Sequence, residues 1–182
     1  MPKITVYQTS AEGDQLTKIE KASEQAASGS ITLKPEEAYQ TITGIGGSFT
    51  EASAYLLNQL SADNRKAVLE AYFGDEGAKY SLTRTHINSC DFSLSNYSYA
   101  PVAGDKELVN FSIEEDTADL IPMIKEAMAI SSEGFNIIAS PWTAPPWMKD
   151  NKDWRGGKLL PEYYGTWARF FSKYVSAYQA EG

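Results

Sequence analysis

One cysteine and one histidine occur in the 182 residues, Cys90 and His86. A single cysteine has no internal partner for a disulfide, and a zinc cluster cannot be built from one Cys and one His. A Ser-His-Asp triad would have to use His86, and no Gly-x-Ser-x-Gly elbow accompanies it. No apolar run approaches the ~20 residues of a membrane span. The segment Met1 to Gln8 has no apolar core of a secretion signal, so the expected location is cytoplasmic. Basic residues are also scarce: 16 Lys and Arg against 24 Asp and Glu leave a net charge of −8. Such a surface repels phosphate backbones, and nucleic acid is not an expected partner. Chemistry is left to carboxylates, to aromatics, or to a part of the protein outside this chain.

What is present reads as a globular chain, 42% hydrophobic and 22% charged. The length suits one domain with a small appendage at about 150 residues per domain. Residues 1–40 are polar and strand-like in pieces. Ile4 to Tyr7 alternates, Gly13-Asp14 signals a turn, and Ile31 to Leu33 is a short β-branched run. From residue 41 a strand-helix rhythm begins. Thr41 to Gly47 reads as a strand entering a glycine turn, and Ser48-Phe49-Thr50-Glu51 as a capping box opening a helix. Ser61 caps a second helix that Gly74 ends. Tyr80 to Ile87 is the next strand, followed by a long non-periodic stretch over 88–111. A second capping box, Ser112 to Glu115, opens a helix with Ile121, Ile124 and Met128 on one face and a kink at Pro122. Phe135 to Ser140 is the third strand. A loop over 141–160 then leads to Pro161 and a last helix bearing Trp167, Phe170, Tyr174 and Tyr178 on one face. Three strand-helix units imply an α/β fold with a parallel sheet and right-handed crossovers.

In such folds ligands bind at the C-terminal ends of strands, and loops longer than ~12–15 residues there are usually functional. The first strand ends in Gly44-Ile45-Gly46-Gly47, but Phe49 stands where a dinucleotide fingerprint needs glycine, and the lysine of a phosphate loop is missing. A tight turn is the simpler reading, and Glu51 reads as its capping carboxylate. The second strand delivers Arg84, His86, Asn88, Cys90 and Asp91. Arg84 reads as paired with an acid, His86 as a satisfied core residue and Cys90 as a small buried hydrophobe. Asp91 reads equally as an acceptor for ligand hydroxyls or as a turn residue. The third strand runs into Pro141-Trp142-Thr143-Ala144-Pro145-Pro146-Trp147. An indole on a stiff loop offers a sugar ring its π face and its N–H, and equally covers a core. The loop acids are Asp91, Asp105, Glu107, Asp150 and Asp153, and no motif places two of them as acid and nucleophile.

At this level of detail the chain resembles glycoside hydrolase family 30. The resemblance is carried by Gly44 to Ala54, Tyr72 to Gly77, Arg84 with Ser89 to Ser93, Tyr97 to Ala100, Asn110 to Ser112, Ala139 to Pro145 and Thr166 to Phe171. It covers residues ~40 to 182. It implies the N-terminal part, about three βα units, of a (β/α)8 TIM barrel over residues 41–182. Residues 1–40 would be short strands of a β-rich side domain. It also implies a retaining β-glycosidase using two glutamates, both expected beyond Gly182, so this chain would hold no catalytic pair and would be inactive alone. Three pocket positions transfer by resemblance: Asp91 binds hydroxyls of the terminal sugar, Trp142 lines the same subsite, and Arg84 buttresses it. No role transfers to His86.

The expected function is therefore hydrolysis of β-glucosides by a glucosylceramidase-type enzyme without metal or organic cofactor. The expected partners are a carbohydrate or glycolipid substrate and the remainder of the barrel. Rivals are a family member acting on β-1,6-glucan, xylan or β-xylosides, a non-catalytic carbohydrate-binding remnant, and a stand-alone nucleotide binder.

Overall fold

The computed structural model describes residues 5–19, 29 and 31–182. The chain divides into two compact units, Met1–Gln40 and Thr41–Gly182. In the first, β1 (Val6–Gln8) and β2 (Thr17–Ile19) form an antiparallel pair with Val6 opposite Ile19. The reversal passes through Gly13 at φ +112°, where a side chain would be strained. Its neighbour Asp14 accepts from Gln8 Nε2 at 2.6 Å and Ser10 Oγ at 2.9 Å. The run Ile31 to Leu33 is not a strand. It has no ladder partner among the described residues, and Ile31 is 91% exposed.

The second unit contains α1 (Glu51–Asn58), α2 (Ala62–Phe73), β3 (Leu82–Ile87), α3 (Glu114–Thr117), α4 (Leu120–Ile130), β4 (Asn136–Pro141) and α5 (Tyr164–Glu181). β3 and β4 are parallel, with Leu82 opposite Asn136 and Ile87 opposite Pro141. Both strands therefore end level, and the loops that follow leave from one edge. β3 is mostly buried, whereas β4 is exposed except at half-buried Ser140 and has no ladder on its other side among the described residues.

The expected first strand is only an extended segment alongside β3. Ser81 N donates to Ile45 O at 3.0 Å, Arg84 N to Gly47 O at 3.0 Å, and Phe49 N to Arg84 O at 2.8 Å. Glycines at 44, 46 and 47 weaken a regular ladder but permit close approach. A β-carbon on Gly46 would lie 1.9 Å from the Leu82 carbonyl oxygen. Gly46→Ala is therefore expected to push this segment off β3 and lower stability by about 1–3 kcal/mol. Chemical denaturation checks this, and an unchanged midpoint would show that the segment shifts freely.

Neither expected capping box forms. Thr50, not Ser48, caps α1, its hydroxyl accepting from Ser53 N at 3.2 Å. Glu51 instead accepts from Leu94 N at 3.0 Å, a bond spanning 43 residues. Ser112 Oγ accepts from Glu114 N at 3.1 Å, but Ile113 is the N-cap of α3 and makes no side-chain cap. The helix expected with a kink at Pro122 is two helices. The chain breaks at Ala118 and Asp119, and Pro122 sits in the first turn of α4, where its missing N–H is harmless. The buried face of α4 runs through Leu120, Ile121, Met123, Ile124 and Ala127. Met128, one residue and about 100° beyond Ala127, turns outward and is 48% exposed. Ser61 does cap α2, accepting from Asn64 N at 3.3 Å, and Gly74 ends it.

Two apolar clusters form the core of this unit. Phe49, Ala54, Leu69, Phe73, Leu120 and Met123 join α1, α2 and α4, with Phe49 stacked on Phe73 at 5.4 Å. Tyr97, Tyr99, Leu108, Met148, Phe170 and Tyr174 form the other, between the long loops and α5. The long loops are thus packed parts of the core.

Candidate functional site

Leaving the level ends of β3 and β4, the loops over 88–111 and 141–160 are tied to each other. Asn88 stands at φ +63°, a left-handed conformation Asn tolerates better than most residues. Fully buried, its side chain accepts from Tyr99 N at 3.0 Å and donates to Thr143 O at 3.3 Å. Trp147 donates its indole N–H to Ala100 O at 2.9 Å and meets Tyr163 edge-on. Trp147 is therefore a core cover and not a ligand platform.

His86 is buried in the same junction. Nδ1 lies 2.7 Å from Asn88 O, and Nε2 accepts from Glu51 N at 3.3 Å. These two bonds define a neutral imidazole with its proton on Nδ1, as a structural histidine requires. The expectation of a satisfied core residue holds.

Arg84 departs from expectation. It forms no ion pair among the described residues. Nε donates to Ser140 Oγ at 2.7 Å, and the guanidinium lies 5.2 Å from the centroid of the Trp142 ring. The side chain faces outward from β3, so no buried acid is needed to neutralise it. Stacking on Trp142 orients the indole and leaves other guanidinium N–H groups free. Cys90, expected as a small buried hydrophobe, is half-buried and lines the cleft beside Asp91.

That cleft, about 650 Å3, opens between the two loops. Asp91 and Trp142 both line it, together with Ser95, Asn96, Trp154 and Arg155. The other loop acids have structural work. Asp105 accepts from Val109 N at 3.0 Å and Asn110 N at 2.8 Å, bonds that lower its pKa. Glu107 pairs with Arg169, Asp150 accepts from Lys158 N at 2.9 Å, and Asp153 from Arg155 N at 2.8 Å. Asp91 alone of the five has no protein partner for its carboxylate among the described residues, and it alone lines the cleft. An unpaired carboxylate at the ligand-binding end of a parallel sheet, beside an exposed indole, suits a ligand rich in hydroxyl groups.

Lys149 shapes this cleft and carries no motif by which a sequence reader would find it. It is 4% exposed, and its ammonium donates to Thr143 Oγ1 at 2.8 Å and Gly156 O at 2.9 Å. Burial pulls its pKa below the usual lysine value, against the opposing charges of Asp153 and Asp150. Beside it, Asp150 N donates to Lys158 O at 3.1 Å and Leu160 N to Met148 O at 2.9 Å, closing a neck under the 151–157 loop. Lys149→Met removes both ammonium ties together with a buried charge. Amide exchange over 151–157 is expected to rise at least about tenfold, with the melting temperature little changed. Hydrogen-exchange mass spectrometry checks this, and unchanged protection would show that the neck alone holds the loop.

A parallel α/β unit with a cleft at its strand ends, lined by an exposed indole and a carboxylate unpaired among the described residues, fits the class of barrel-type glycoside hydrolases. Residues 42–182 match the glycosyl hydrolase family 30 TIM-barrel domain, and the chain belongs to that family. It is 40% identical over 158 residues to the lysosomal acid glucosylceramidase of Mus musculus, covering 84% of this chain and 31% of that protein. The crystal structure of SrfJ from Salmonella typhimurium superposes with a TM-score of 0.79 at 35% identity, covering 91% of this chain and 38% of that one. The endo-β1,6-glucanase BT3312 also gives 0.79, at 34% identity, over 98% of this chain and 40% of that one. The chain spans about a third of the length of the curated relatives it matches. The expected fold class, part of a TIM barrel, is thus met by an α/β unit without a closed barrel.

Proposed function

We propose that the full-length protein is a retaining β-glycosidase acting on β-glucosides, and that this segment builds one wall of its sugar pocket. The observation that supports this most is Asp91, the one acid of the two long loops with no protein partner among the described residues, lining a cleft with Trp142. Asp91 takes hydroxyls of the terminal sugar, Trp142 packs against the ring, and Arg84 holds the indole from behind. In this mechanism one carboxylic acid protonates the leaving oxygen while a carboxylate about 5–5.5 Å away attacks the anomeric carbon. Asp91 is the one acidic side chain lining the cleft among the described residues, and with Asp91 engaged by the sugar hydroxyls both groups come from elsewhere in the protein. The similarity to a glucosylceramidase and to an endo-β1,6-glucanase supports β-linked glucose as the cleaved unit.

The test is to incubate the full-length protein with an aryl β-glucoside and follow the first-formed sugar by proton NMR. Release of the β-anomer is expected. Release of the α-anomer would overturn the retaining mechanism, and binding without cleavage would make the protein a carbohydrate-binding remnant.

A further inference from the structure

The cleft beside Asp91 continues past Trp142 to a second tryptophan. Trp154 is half-buried and lines this cleft, and with Trp142 it also lines an adjoining one of about 440 Å3. Neither indole N–H has a protein acceptor among the described residues, in contrast to Trp147, whose N–H is used in packing. The loop that presents Trp154 is internally bonded. Asn151 Nδ2 donates to Arg155 O at 2.7 Å, Asp153 N to Asn151 Oδ1 at 3.2 Å, and Lys149 Nζ to Gly156 O at 2.9 Å. The backbone that carries Trp154 is thus set in place before any ligand arrives, which lowers the entropy lost on binding.

The remaining wall is polar. Ser95, Asn96 and Arg155 line it with Asp91, and the Arg155 guanidinium forms no ion pair among the described residues. A lipid chain there would strip water from these groups and return no hydrogen bonds. A sugar ring would return them and lay its C–H face on the indole. The cleft also falls in the range of about 300–1,000 Å3 that houses drug-sized ligands, more than one pyranose ring fills.

We infer that Trp154 is the platform for a second sugar ring, with Arg155, Ser95 and Asn96 as its hydrogen-bonding partners. The substrate is then a β-linked glucosaccharide of at least two rings, with sugar and not lipid next to the ring held at Asp91. This rests on the β-glucosidase reading above.

The experiment compares the full-length protein and its Trp154→Ala and Trp154→Phe variants. The substrates are an aryl β-glucoside, a set of β-linked gluco-disaccharides differing in linkage and followed by glucose release, and a short-chain glucosylceramide in micelles. For the best disaccharide, Trp154→Ala is expected to lower kcat/KM about tenfold, mainly through KM, and Trp154→Phe to recover most of it. The loss should be several-fold smaller for the aryl β-glucoside, whose aglycone offers no hydroxyls, and melting temperatures within about two degrees of the wild type show that both variants fold. Equal losses on both substrates, or glucosylceramide turned over faster than every disaccharide, would overturn the second-ring platform and leave the β-glucosidase reading standing. Failure of the wild-type protein to cleave any β-glucoside would overturn both.

Discussion

Asp91→Ala in the full-length protein is expected to lower kcat/KM on a simple β-glucoside by roughly a hundredfold to ten-thousandfold. Hydrogen bonds between a carboxylate and hydroxyls are each worth about 1.5–3 kcal/mol where water is excluded. Two such bonds, at about 1.4 kcal/mol per tenfold in rate, give that range. The loss should fall on kcat as well as KM if the bonds tighten as the ring flattens toward the transition state, and on KM alone if they hold ground state and transition state equally. Asp91→Asn keeps the shape and one good acceptor, so its loss should be about tenfold smaller. Stability provides the control. Asp91 bonds to no protein group among the described residues, so neither variant should shift the melting temperature by more than about a degree or two. Unchanged kinetics in Asp91→Ala would remove it from the pocket. A large fall in melting temperature would make it a structural turn residue, the other role its place after β3 suggests.

How much of this site is legible in the sequence depends on the range of the interactions that build it. β3 and β4 are dense in β-branched residues, and α2 carries its own start and stop signals in Ser61 and Gly74. Asp91 and Trp142 can be located because each lies within four residues of the end of a strand that can itself be placed. The capping boxes fail for the opposite reason. A Ser-x-x-Glu pattern is local, but Glu51 answers a demand from Leu94, 43 residues away, that no local pattern shows. The expected acid partner of Arg84 fails likewise, because its neighbour across the sheet is Ser140 and its cover is Trp142. Lys149 and Trp154 are illegible because a buried lysine and a cleft-lining tryptophan look, in sequence, like any lysine and tryptophan in a polar loop. Only the neck between 148–150 and 158–160 brings Trp154 to the cleft and buries Lys149 behind its wall, against Thr143 and Gly156.

The same holds for the residue whose loss should damage stability most. Asp116 reads as the third acid in a run at the start of a helix, yet it is 1% exposed. Its carboxylate accepts from three phenols: Tyr97 at 2.8 Å, Tyr99 at 2.5 Å and Tyr178 at 2.6 Å. These join the 88–111 loop, α3 and α5, so the acid is the point where the wall carrying Asp91 meets the last helix. Asp116→Ala strands three buried hydroxyls and opens a void. It is expected to destabilise by about 3–5 kcal/mol, or roughly 6–20 °C in melting temperature at this size. Asp116→Asn keeps the shape and an acceptor, and should cost about 1–2 kcal/mol. A loss below about 1 kcal/mol in the alanine variant would show that water replaces the carboxylate. The phenols add a pH signature. Burial first, and then the charge of Asp116, push the hydroxyls of Tyr97, Tyr99 and Tyr178 well above the usual value. A raised folded pKa means that their stabilisation is whole below about pH 10 and lost above it, where phenols of the unfolded chain release protons that the folded ones keep. Each such tyrosine steepens the decline by up to about 1.4 kcal/mol per pH unit. Burial is the larger cause, so Asp116→Ala should keep most of this alkaline slope while losing stability at every pH. Melting curves from neutral pH to above pH 11, with phenolate absorbance followed alongside, check both parts. An alkaline slope that disappears with Asp116 would make the carboxylate, and not burial, the source of the shift.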